Sequence, residues 1–587
     1  MKKLFVKDIS PSKLASKIYK LSLVLLLLFS FFSYLYKNTT VPPSLYSDES
    51  DISYQAFIFN KYQTDYYNNK FPIHFHSYSD WQPSFFIYSV ALTQKFTGHT
   101  DSSVRIPAAI FGTLTIFVFC LIIKLLINSN IWSIIGGFLL AISPWLFHYS
   151  RTGFAVTNML FLVLLGIYFW IKFIKNDQIK NLFLSIISFS LLTYSYSTAK
   201  LHLVFIFLTL YLIWFKTINK ISLKNKLIVI LLVFLICLPV ISDTLKGRAG
   251  YRFSYINIFS DPTVSKTIDN YRQEDSVMVN GQQIGLKPLL VSKIFHNKIN
   301  QWSEMFIKNY FSAFSTDFLF LKGDGNLRQG VQTVGNLLFP DFFLIFIGIS
   351  LVFIQKSKNS KFYLFFLINL ILAPIPFALT RDSIFPHATR LILMLPFLIF
   401  FSILGLKQIF EITKSKFLIA FILFLYVICF GRFIHQYYFH YPNISARDWH
   451  YGMKQGITKA INSNYSKIYF INSYEPFMPF FLNYSEYLPQ DKNISPASSL
   501  IWDNNQFFTG MQTENKYYIG SIEWSVILNN YPIDTLFVVP ERELIKIKIS
   551  LEDYNKGHQI KINLNQIDKV DKKYTEQEQI YLITFSQ

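Results

Sequence analysis

The sequence predicts an α-helical polytopic membrane protein with a small α/β domain at its C-terminal end. Hydrophobic residues make up 52% of the chain and charged residues only 15%, too few charges to cover a soluble protein of 587 residues. Long apolar runs recur through the first 434 residues and then stop. A lipid bilayer is therefore expected to solvate most of the chain.

The apolar runs predict about eleven transmembrane helices, because a span of the hydrocarbon core takes about 20 apolar residues in a helix. The first run, residues 21 to 35, resembles the core of a signal peptide. Tyr36, Lys37 and Asn38 follow it in place of a small-residue cleavage pattern, so we expect an uncleaved first helix. The runs lie near residues 18 to 36, 104 to 127, 131 to 149, 155 to 174, 181 to 198, 201 to 216, 226 to 243, 337 to 354, 362 to 379, 388 to 408 and 416 to 434.

Lysines predict the orientation, since short cytoplasmic loops carry an excess of positive charge. They precede the first run and occupy every second loop after it, which places the N-terminus in the cytoplasm. The segments that then face outward are residues 37 to 103, 244 to 336, about 380 to 388 and everything after 435. The lysines are Lys2, Lys3, Lys7, Lys13, Lys17, Lys172, Lys175, Lys216, Lys220, Lys224, Lys356, Lys358, Lys361, Lys407, Lys414 and Lys416.

The chain is predicted to divide into a membrane domain, residues 1 to 434, and an extracytoplasmic α/β domain, residues 435 to 587. Beyond 435 the pattern predicts strands at 467 to 471 and 535 to 539 and a helix at 449 to 461. The outer loops of the membrane domain are then 37 to 103 and 244 to 336. We expect the loop from 244 to 336 to have a function, because loops of this length are usually functional or disordered.

Several classes of function are disfavoured by the same patterns. The formal charge of +20 comes from lysines spread between apolar runs, so no nucleic-acid partner is expected. Cys120, Cys237 and Cys429 lie within apolar runs and are interpreted as core residues. No glycine-rich phosphate loop or dinucleotide fingerprint is present, which disfavours a nucleotide-sugar enzyme.

Two adjacent carboxylates, Asp48 and Glu49, follow Pro42 and Pro43 in the first outer loop. They fit a helix N-terminus, where a cap and the helix dipole favour acidic groups. They also fit general-base chemistry, which needs a carboxylate within hydrogen-bonding reach of an acceptor proton. Because successive helical side chains point about 100° apart, one could face a site while the other holds the loop or a metal.

His74, His76 and Asp80 form a short cluster in the same loop. Imidazole and carboxylate ligands suit a divalent ion such as zinc, so a divalent metal is one candidate cofactor. Ordinary loop side chains explain the same residues. No cofactor is required by the sequence.

Several short motifs follow one another along the chain. They are Pro42-Pro43-Ser44-Leu45-Tyr46-Ser47-Asp48-Glu49, Asp80-Trp81-Gln82-Pro83, Val104-Arg105-Ile106-Pro107, Phe111-Gly112-Thr113-Leu114, Ile142-Ser143-Pro144-Trp145, Ser150-Arg151, Lys322-Gly323-Asp324, Ala373-Pro374-Ile375-Pro376, and Pro386-His387-Ala388 with Arg390. Their order resembles the bacterial GT-C glycosyltransferases, and the resemblance covers roughly residues 18 to 435. These enzymes are similar to the protein O-mannosyltransferases and to the aminoarabinose transferases of lipid A, which take a sugar from a polyprenyl-phosphate donor.

The resemblance implies roles for individual residues. Asp48 matches the proposed catalytic base, Glu49 its structural or metal-supporting partner, and Arg105 an arginine that meets the lipid phosphate. The chain departs from the pattern at Gln82, where relatives often carry a lysine expected to contact the donor phosphate. Glutamine donates hydrogen bonds but brings no charge.

Further basic groups are therefore predicted to bind the donor phosphate beside Arg105. They map to the outer side and are Arg151, Lys200, Arg248, His387 and Arg390. In the long loop, Asp324 and Arg328 are predicted to bind the acceptor, with turn formation as the alternative explanation.

The function predicted is that of an inverting membrane glycosyltransferase, a hexosyl- or pentosyltransferase acting on the extracytoplasmic face of the cell membrane. Its partners are a polyprenyl-phosphate-linked sugar, the bilayer, and an acceptor that the sequence leaves open among protein, lipid and glycan. A transporter or lipid flippase is one alternative, although no internal repeat is visible. A catalytically inactive relative that binds polyprenyl lipids is the other, favoured by Gln82.

Overall fold

The computed structural model describes residues 13 to 587 apart from short gaps. The gaps are residues 79, 249, 276 to 277, 280 to 281, 284 to 290, 355 to 357, 382 to 384, 473 to 475, 492 to 493, 531 to 533, 560 and 587. Four of the lysines used to predict the orientation, Lys2, Lys3, Lys7 and Lys356, lie outside the described residues.

Apolar helices dominate the first three quarters of the chain, and each of the eleven predicted runs contains one. Eight are long and apolar enough to cross a membrane: Leu14–Leu35, Asp101–Ile127, Val156–Asn176, Ala199–Asn219, Leu223–Leu245, Ser360–Ala378, Met394–Thr413 and Lys416–Ser445. Three are shorter: Asn130–Ala141, Ile179–Tyr194 and Pro340–Ile354. The predicted multi-pass helical class is confirmed, and the count of eleven crossings stays a prediction.

Close approach of backbones holds the centre of this bundle together. A Cβ atom added to Gly348 would lie 1.9 Å from the carbonyl oxygen of Phe401, and one added to Gly405 would lie 2.2 Å from that of Leu344. Only glycine therefore fits where helix Pro340–Ile354 crosses helix Met394–Thr413. Small residues of this kind are typical of packed membrane helices.

The polar segments between the spans carry further short elements. In the first outer loop these are helices Ser47–Tyr62 and Ser84–Thr97 and the antiparallel strands His74–His76 and Trp81–Pro83. In the second they are helices Tyr251–Ile256, Thr263–Asp275, Val291–Phe295 and Lys298–Ser312 and the two-residue strands Met278–Val279 and Gln282–Gln283. Helices Pro144–Tyr149, Ile375–Ala378, Ala388–Leu391 and Tyr441–Ser445 lie at bundle ends.

The C-terminal region forms a seven-stranded mixed sheet. Its strands in spatial order are Asn563–Lys569, Ile580–Ser586, Thr535–Pro540, Lys467–Ile471, Tyr517–Ile522, Phe508–Thr513 and Ile501–Asn504. The strand predicted at 467 to 471 is present as such, and the one predicted at 535 to 539 extends one residue further. The predicted helix at 449 to 461 is shorter, Met453–Ile461. The boundary at 434 stays a prediction, because the preceding helix continues to Ser445.

Alternating side chains give the sheet two buried faces, as expected for strands. Ile468, Phe470 and Val538 pack on one face, whereas Tyr469 and Phe537 pack on the other. Helix Met478–Tyr484 belongs to the cluster on the first face and contacts helix Ser47–Tyr62, whose Tyr54, Phe57 and Ile58 join the same cluster. The Tyr54 hydroxyl donates to the Tyr487 carbonyl at 2.7 Å. The C-terminal region therefore packs against the helix that carries Asp48 in its first turn.

Candidate active site

Two buried arginines hold the segment that leads to Asp48. Arg105 pairs with Glu49 through Nε (3.0 Å) and Nη2 (2.8 Å), and both side chains are 0% exposed. Its remaining N–H groups donate to the carbonyls of Asn38, Pro42 and Ser44. Arg151 donates to four further carbonyls, those of Ser33, Tyr34, Tyr36 and Val41.

This geometry disagrees with the prediction that Arg105 and Arg151 bind the donor phosphate. All N–H groups of Arg105 are engaged inside the protein, and Arg151 is fully buried beneath the same segment. Glu49 is likewise engaged inside the protein, because its carboxylate also accepts from the backbone N–H of Gly153 at 2.5 Å. This geometry disagrees with the catalytic role predicted for Glu49. These three residues form a structural clamp, which we call the arginine clamp.

Asp48 is exposed whereas Glu49 is buried, so the two adjacent carboxylates have different surroundings. Asp48 accepts a hydrogen bond from the Tyr46 hydroxyl at 3.0 Å and faces a cavity of about 150 Å³, which we call the Asp48 cavity. The cavity is lined by Tyr46, Asp48, Ile52, Ser77, Asp80, Trp81, Gln82, Pro83, Phe86, Ile87, Gly153, Phe154, Ala155, Tyr196, Ser197, Arg252 and Tyr255.

Arg252 lines the same cavity as Asp48 and lies 3.3 Å from the Asp80 carboxylate. Burial opposes the charge of Arg252, but Tyr196, Asp48 and Asp80 outweigh it and raise the arginine pKa. Burial lowers the pKa of His387 well below its usual value, and Arg390, Arg252 and Arg328 lower it further. His387 is therefore a neutral group among three arginines.

A second basic group lies beside the Asp48 cavity, around Trp81. His74 Nδ1 is 3.1 Å from Asp243, and its Nε2 is 3.3 Å from the Lys200 amine. Burial and then Lys200 lower the pKa of His74 to about 4, so the ring is neutral at pH 7. Arg248 stacks over the Trp81 ring at 4.6 Å and lies 3.7 Å from Asp243.

The predicted metal cluster is not assembled. His76 is stacked between Tyr67 and Trp81, with ring centroids 3.8 and 4.2 Å apart, while His74 bonds Asp243 and Asp80 pairs with Arg252. No group of three metal-ligating side chains occurs in the part of the chain that the structure describes. A divalent metal stays an untested prediction.

Gln82 interacts with a carboxylate that sequence reasoning missed. Its amide Nε2 donates to Asp51 at 3.0 Å, one helical turn after Asp48. Burial raises the pKa of Asp51 to about 7, hydrogen bonds from Ser77 and Tyr66 oppose the rise, and Asp48 adds to it. The spacing of three residues from Asp48 was the available signal.

The two residues predicted to bind the acceptor have different surroundings. Asp324 accepts from the backbone N–H groups of Asn326 (2.8 Å) and Ala388 (2.7 Å) and is 3% exposed. It therefore shapes a turn, and the acceptor-binding role predicted for it disagrees with this geometry. Arg328 instead lies over the Tyr46 ring at 5.6 Å, close to Asp48.

Of the residues predicted for the site, Asp48 lines the Asp48 cavity. Arg328, His387 and Arg390 lie near this cavity without lining it, since Arg328 lies over the Tyr46 ring and His387 is close to Arg252 and Arg390. Tyr46, Tyr196, Arg252 and Tyr255 line the cavity without having been singled out. Besides Asp51, Arg252 carried a usable signal, since it follows the predicted end of the seventh span as Arg248 does.

Comparisons with known proteins agree with this architecture. Residues 82–242 match the family model of the dolichyl-phosphate-mannose-protein mannosyltransferases. The solved structure of ArnT from Cupriavidus metallidurans bound to undecaprenyl phosphate is 9% identical, with a TM-score of 0.51 over 97% of this chain and 98% of that chain. The oligosaccharyltransferase AglB from Archaeoglobus fulgidus, in complex with an inhibitory peptide and a dolichol-phosphate, is 13% identical with a TM-score of 0.48, covering 84% of this chain and 66% of that one. No curated protein matches by sequence. The predicted resemblance to GT-C glycosyltransferases is confirmed at the level of the fold.

Proposed function

We propose that the protein is a membrane glycosyltransferase that moves a sugar from a polyprenyl-phosphate donor to an acceptor on the extracytoplasmic face, with inversion at the anomeric carbon. The observation that carries the proposal is the Asp48 cavity, where the exposed Asp48 carboxylate and the Arg252 guanidinium line one cavity. ArnT, which shares the fold, was crystallised with undecaprenyl phosphate.

In the proposed reaction Asp48 accepts the proton of an acceptor hydroxyl or amine. The acceptor atom forms a bond to the anomeric carbon while the bond from that carbon to the phosphate oxygen breaks. The electron pair leaves with the phosphate, which returns to polyprenyl phosphate. Fixed cations at the developing charge lower the barrier. The hydroxyl of Tyr46, at 3.0 Å, holds the carboxylate toward the cavity.

We assign the phosphate to cations other than the arginine clamp. Arg252 is 45% exposed and reaches the cavity from helix Tyr251–Ile256, and Arg390 lies among the same charges. Lys200 and Arg248 stand at the ends of helices Ala199–Asn219 and Leu223–Leu245, where a lipid headgroup arrives from the bilayer. Many leucines and isoleucines of helix Leu223–Leu245 are exposed, as expected for a surface that faces lipid.

We propose the same orientation that the lysines predict, with a cytoplasmic N-terminus and the C-terminal sheet outside the cell membrane. Helix Met478–Tyr484 of the C-terminal region packs on helix Ser47–Tyr62, which supports a shared side for this region and the Asp48 cavity. Lys172, Lys175, Lys216 and Lys220 occupy the opposite ends of their helices. This agrees with the positive-inside rule. The division of the chain at residue 434 is part of the same proposal.

The test is turnover of radiolabelled polyprenyl-phosphate sugars by the full chain in lipid nanodiscs. Asp48→Asn is expected to lower the rate by about 10²- to 10⁴-fold, the usual contribution of a general base. Asp269→Asn, an exposed carboxylate in the second outer loop, is the matched control and should retain the rate. Equal consumption of donor by wild type and Asp48→Asn would refute the assignment. Donor binding without turnover by wild type would favour an inactive lipid-binding relative.

A further inference from the structure

An apolar cleft of about 270 Å³ lies between membrane helices at the end of the bundle opposite to the Asp48 cavity. Tyr196 and Ser197 line the Asp48 cavity and come directly before helix Ala199–Asn219. Ile218, which lines the cleft, lies about 28 Å further along this helix at 1.5 Å per residue. We call this space the lateral cleft, and its lining includes Trp170, Leu182, Ile186, Phe207, Leu210 and Val229.

The lateral cleft exists because two consecutive helices pack on different neighbours. Helix Leu223–Leu245 packs on helix Ile179–Leu191, whereas the helix before it packs on helix Ser360–Leu372. Trp214 carries the latter contact, with its ring centroid 5.2 Å from that of Phe362. The two consecutive helices therefore diverge and leave a space between them.

The cleft is open toward the bilayer and has the length of one leaflet. Tyr211 and Ile230 line it and are exposed on the outer surface of the bundle. Along helix Ala199–Asn219 the lining runs from Phe207 to Ile218, which is about 16 Å. The hydrocarbon core of a bilayer is about 30 Å thick, so each leaflet contributes about 15 Å. The cleft therefore matches the depth that a lipid acyl chain reaches from one surface.

Lysines stand at the mouth of the cleft. Among the described residues, Lys226 is the only charged one that lines it, and its amine donates to the Asn219 carbonyl at 3.1 Å. An ammonium has three N–H groups, so this contact leaves donors for a ligand. The segment from 216 to 226 also carries Lys216, Lys220 and Lys224, which are exposed, and it contains no carboxylate.

This arrangement indicates what occupies the cleft. The positive-inside rule explains lysines at this end of the bundle, but it does not explain why one of them lines an apolar cleft. Basic groups at the mouth of an apolar space between membrane helices are complementary to a lipid that has an acyl chain and an anionic headgroup. A zwitterionic lipid or a helix of another protein leaves the surplus positive charge unmatched.

We propose that the lateral cleft binds an anionic phospholipid of the bilayer, with one acyl chain between the diverging helices and the phosphate at Lys226 and the neighbouring lysines. The occupant is a phospholipid rather than the sugar donor, because the donor phosphate has to reach the Asp48 cavity at the other end of the bundle. The bound chain bridges two helices whose far ends carry Lys200 and Asp243 beside that cavity. In the proposed orientation the lipid belongs to the cytoplasmic leaflet.

The test counts phospholipids bound to the full chain in neutral detergent by native mass spectrometry and follows the melting temperature by tryptophan fluorescence. Dioleoyl phosphatidylglycerol is compared with dioleoyl phosphatidylcholine, since the two share their acyl chains and differ in net charge. Phosphatidylglycerol is expected to bind more tightly and to raise the melting temperature more. Equal binding of the two lipids would overturn the proposal. Displacement of bound phosphatidylglycerol by equimolar undecaprenyl phosphate would also overturn it, because the cleft would then be a polyprenyl-phosphate site.

Matched lysine variants assign the binding to the mouth of the cleft. Lys220→Gln combined with Lys226→Gln should weaken phosphatidylglycerol binding about 5- to 30-fold, the effect of one or two lysines on an anionic headgroup. Lys414→Gln combined with Lys416→Gln removes two exposed lysines next to the helices Met394–Thr413 and Lys416–Ser445 and should leave binding unchanged. Equal binding by these two double variants would contradict the proposal.

A second pair of variants tests the apolar part of the cleft. Val229→Phe places a larger side chain in the lining and should weaken binding of both phospholipids. Leu231→Phe changes an exposed residue of the same helix outside the lining and should retain binding. Unchanged binding in Val229→Phe would place the acyl chain elsewhere and refute the proposal. The lysine variants lie in a largely exposed segment, so they decide the question even if Val229→Phe fails to fold.

Discussion

Substitution of Glu49 by glutamine tests the arginine clamp. The change keeps the shape of the side chain but removes its charge, and it turns one carboxylate oxygen into an NH₂ donor that must face the N–H groups of Arg105. Arg105 is then a buried cation with no carboxylate beside it, since both side chains are 0% exposed. Removal of one partner from a buried ion pair typically costs about 3 to 5 kcal/mol.

The expected outcome is a loss of stability of that size together with a loss of activity, because the clamp positions Asp48. Unfolding of the purified protein, followed by tryptophan fluorescence during heating in detergent, gives the midpoint. Glu304→Gln, an exposed glutamate in helix Lys298–Ser312, is the matched control and should unfold like wild type. Asp48→Asn should also lose activity but, unlike Glu49→Gln, should retain the wild-type midpoint. The reasoning fails if Glu49→Gln unfolds like wild type.

Two further predictions concern the walls of the Asp48 cavity. Asp51 has its pKa raised to about 7, so the folded state holds a proton that the unfolded state releases near pH 4, and stability should fall as pH rises from about 4 to 7. Asp51→Asn should remove this pH dependence from melting temperatures measured between about pH 4 and 7. An unchanged pH dependence would mean that another group causes it. Arg252→Gln should raise the donor KM or lower kcat by about 10- to 100-fold, whereas Arg542→Gln, in the C-terminal region, should leave both unchanged. Equal kinetics of the two arginine variants would remove Arg252 from the phosphate site.

The membrane class, the positions of the apolar helices and two strands of the sheet were predictable because each depends on a local pattern. Apolar runs of about 20 residues and alternating strands can be read without knowledge of their neighbours. The start of helix Ser47–Tyr62 was predictable for the same reason, since acidic residues favour a first turn, although the N-cap is Tyr46.

The roles of the basic residues depended on tertiary contacts and were not predictable. Arg105 and Arg151 differ from Arg252 only in what surrounds them, and the carbonyls that engage Arg151 are 110 to 118 residues away along the chain. The interaction of Asp51 with Gln82 likewise joins two segments 31 residues apart. The direction of each side chain depends on such contacts and could not be read from the sequence.

Contact between the C-terminal region and helix Ser47–Tyr62 has a consequence for biosynthesis. The ribosome makes Tyr54 and Phe57 about 400 residues before the strands and helices that cover them, because their partners begin near Met453. Until those partners emerge, the aromatic face of this helix remains uncovered at the bilayer surface. The cover over the aromatic face of the helix that carries Asp48 is thus among the last parts of the molecule to be completed, and a chain interrupted during translation lacks it.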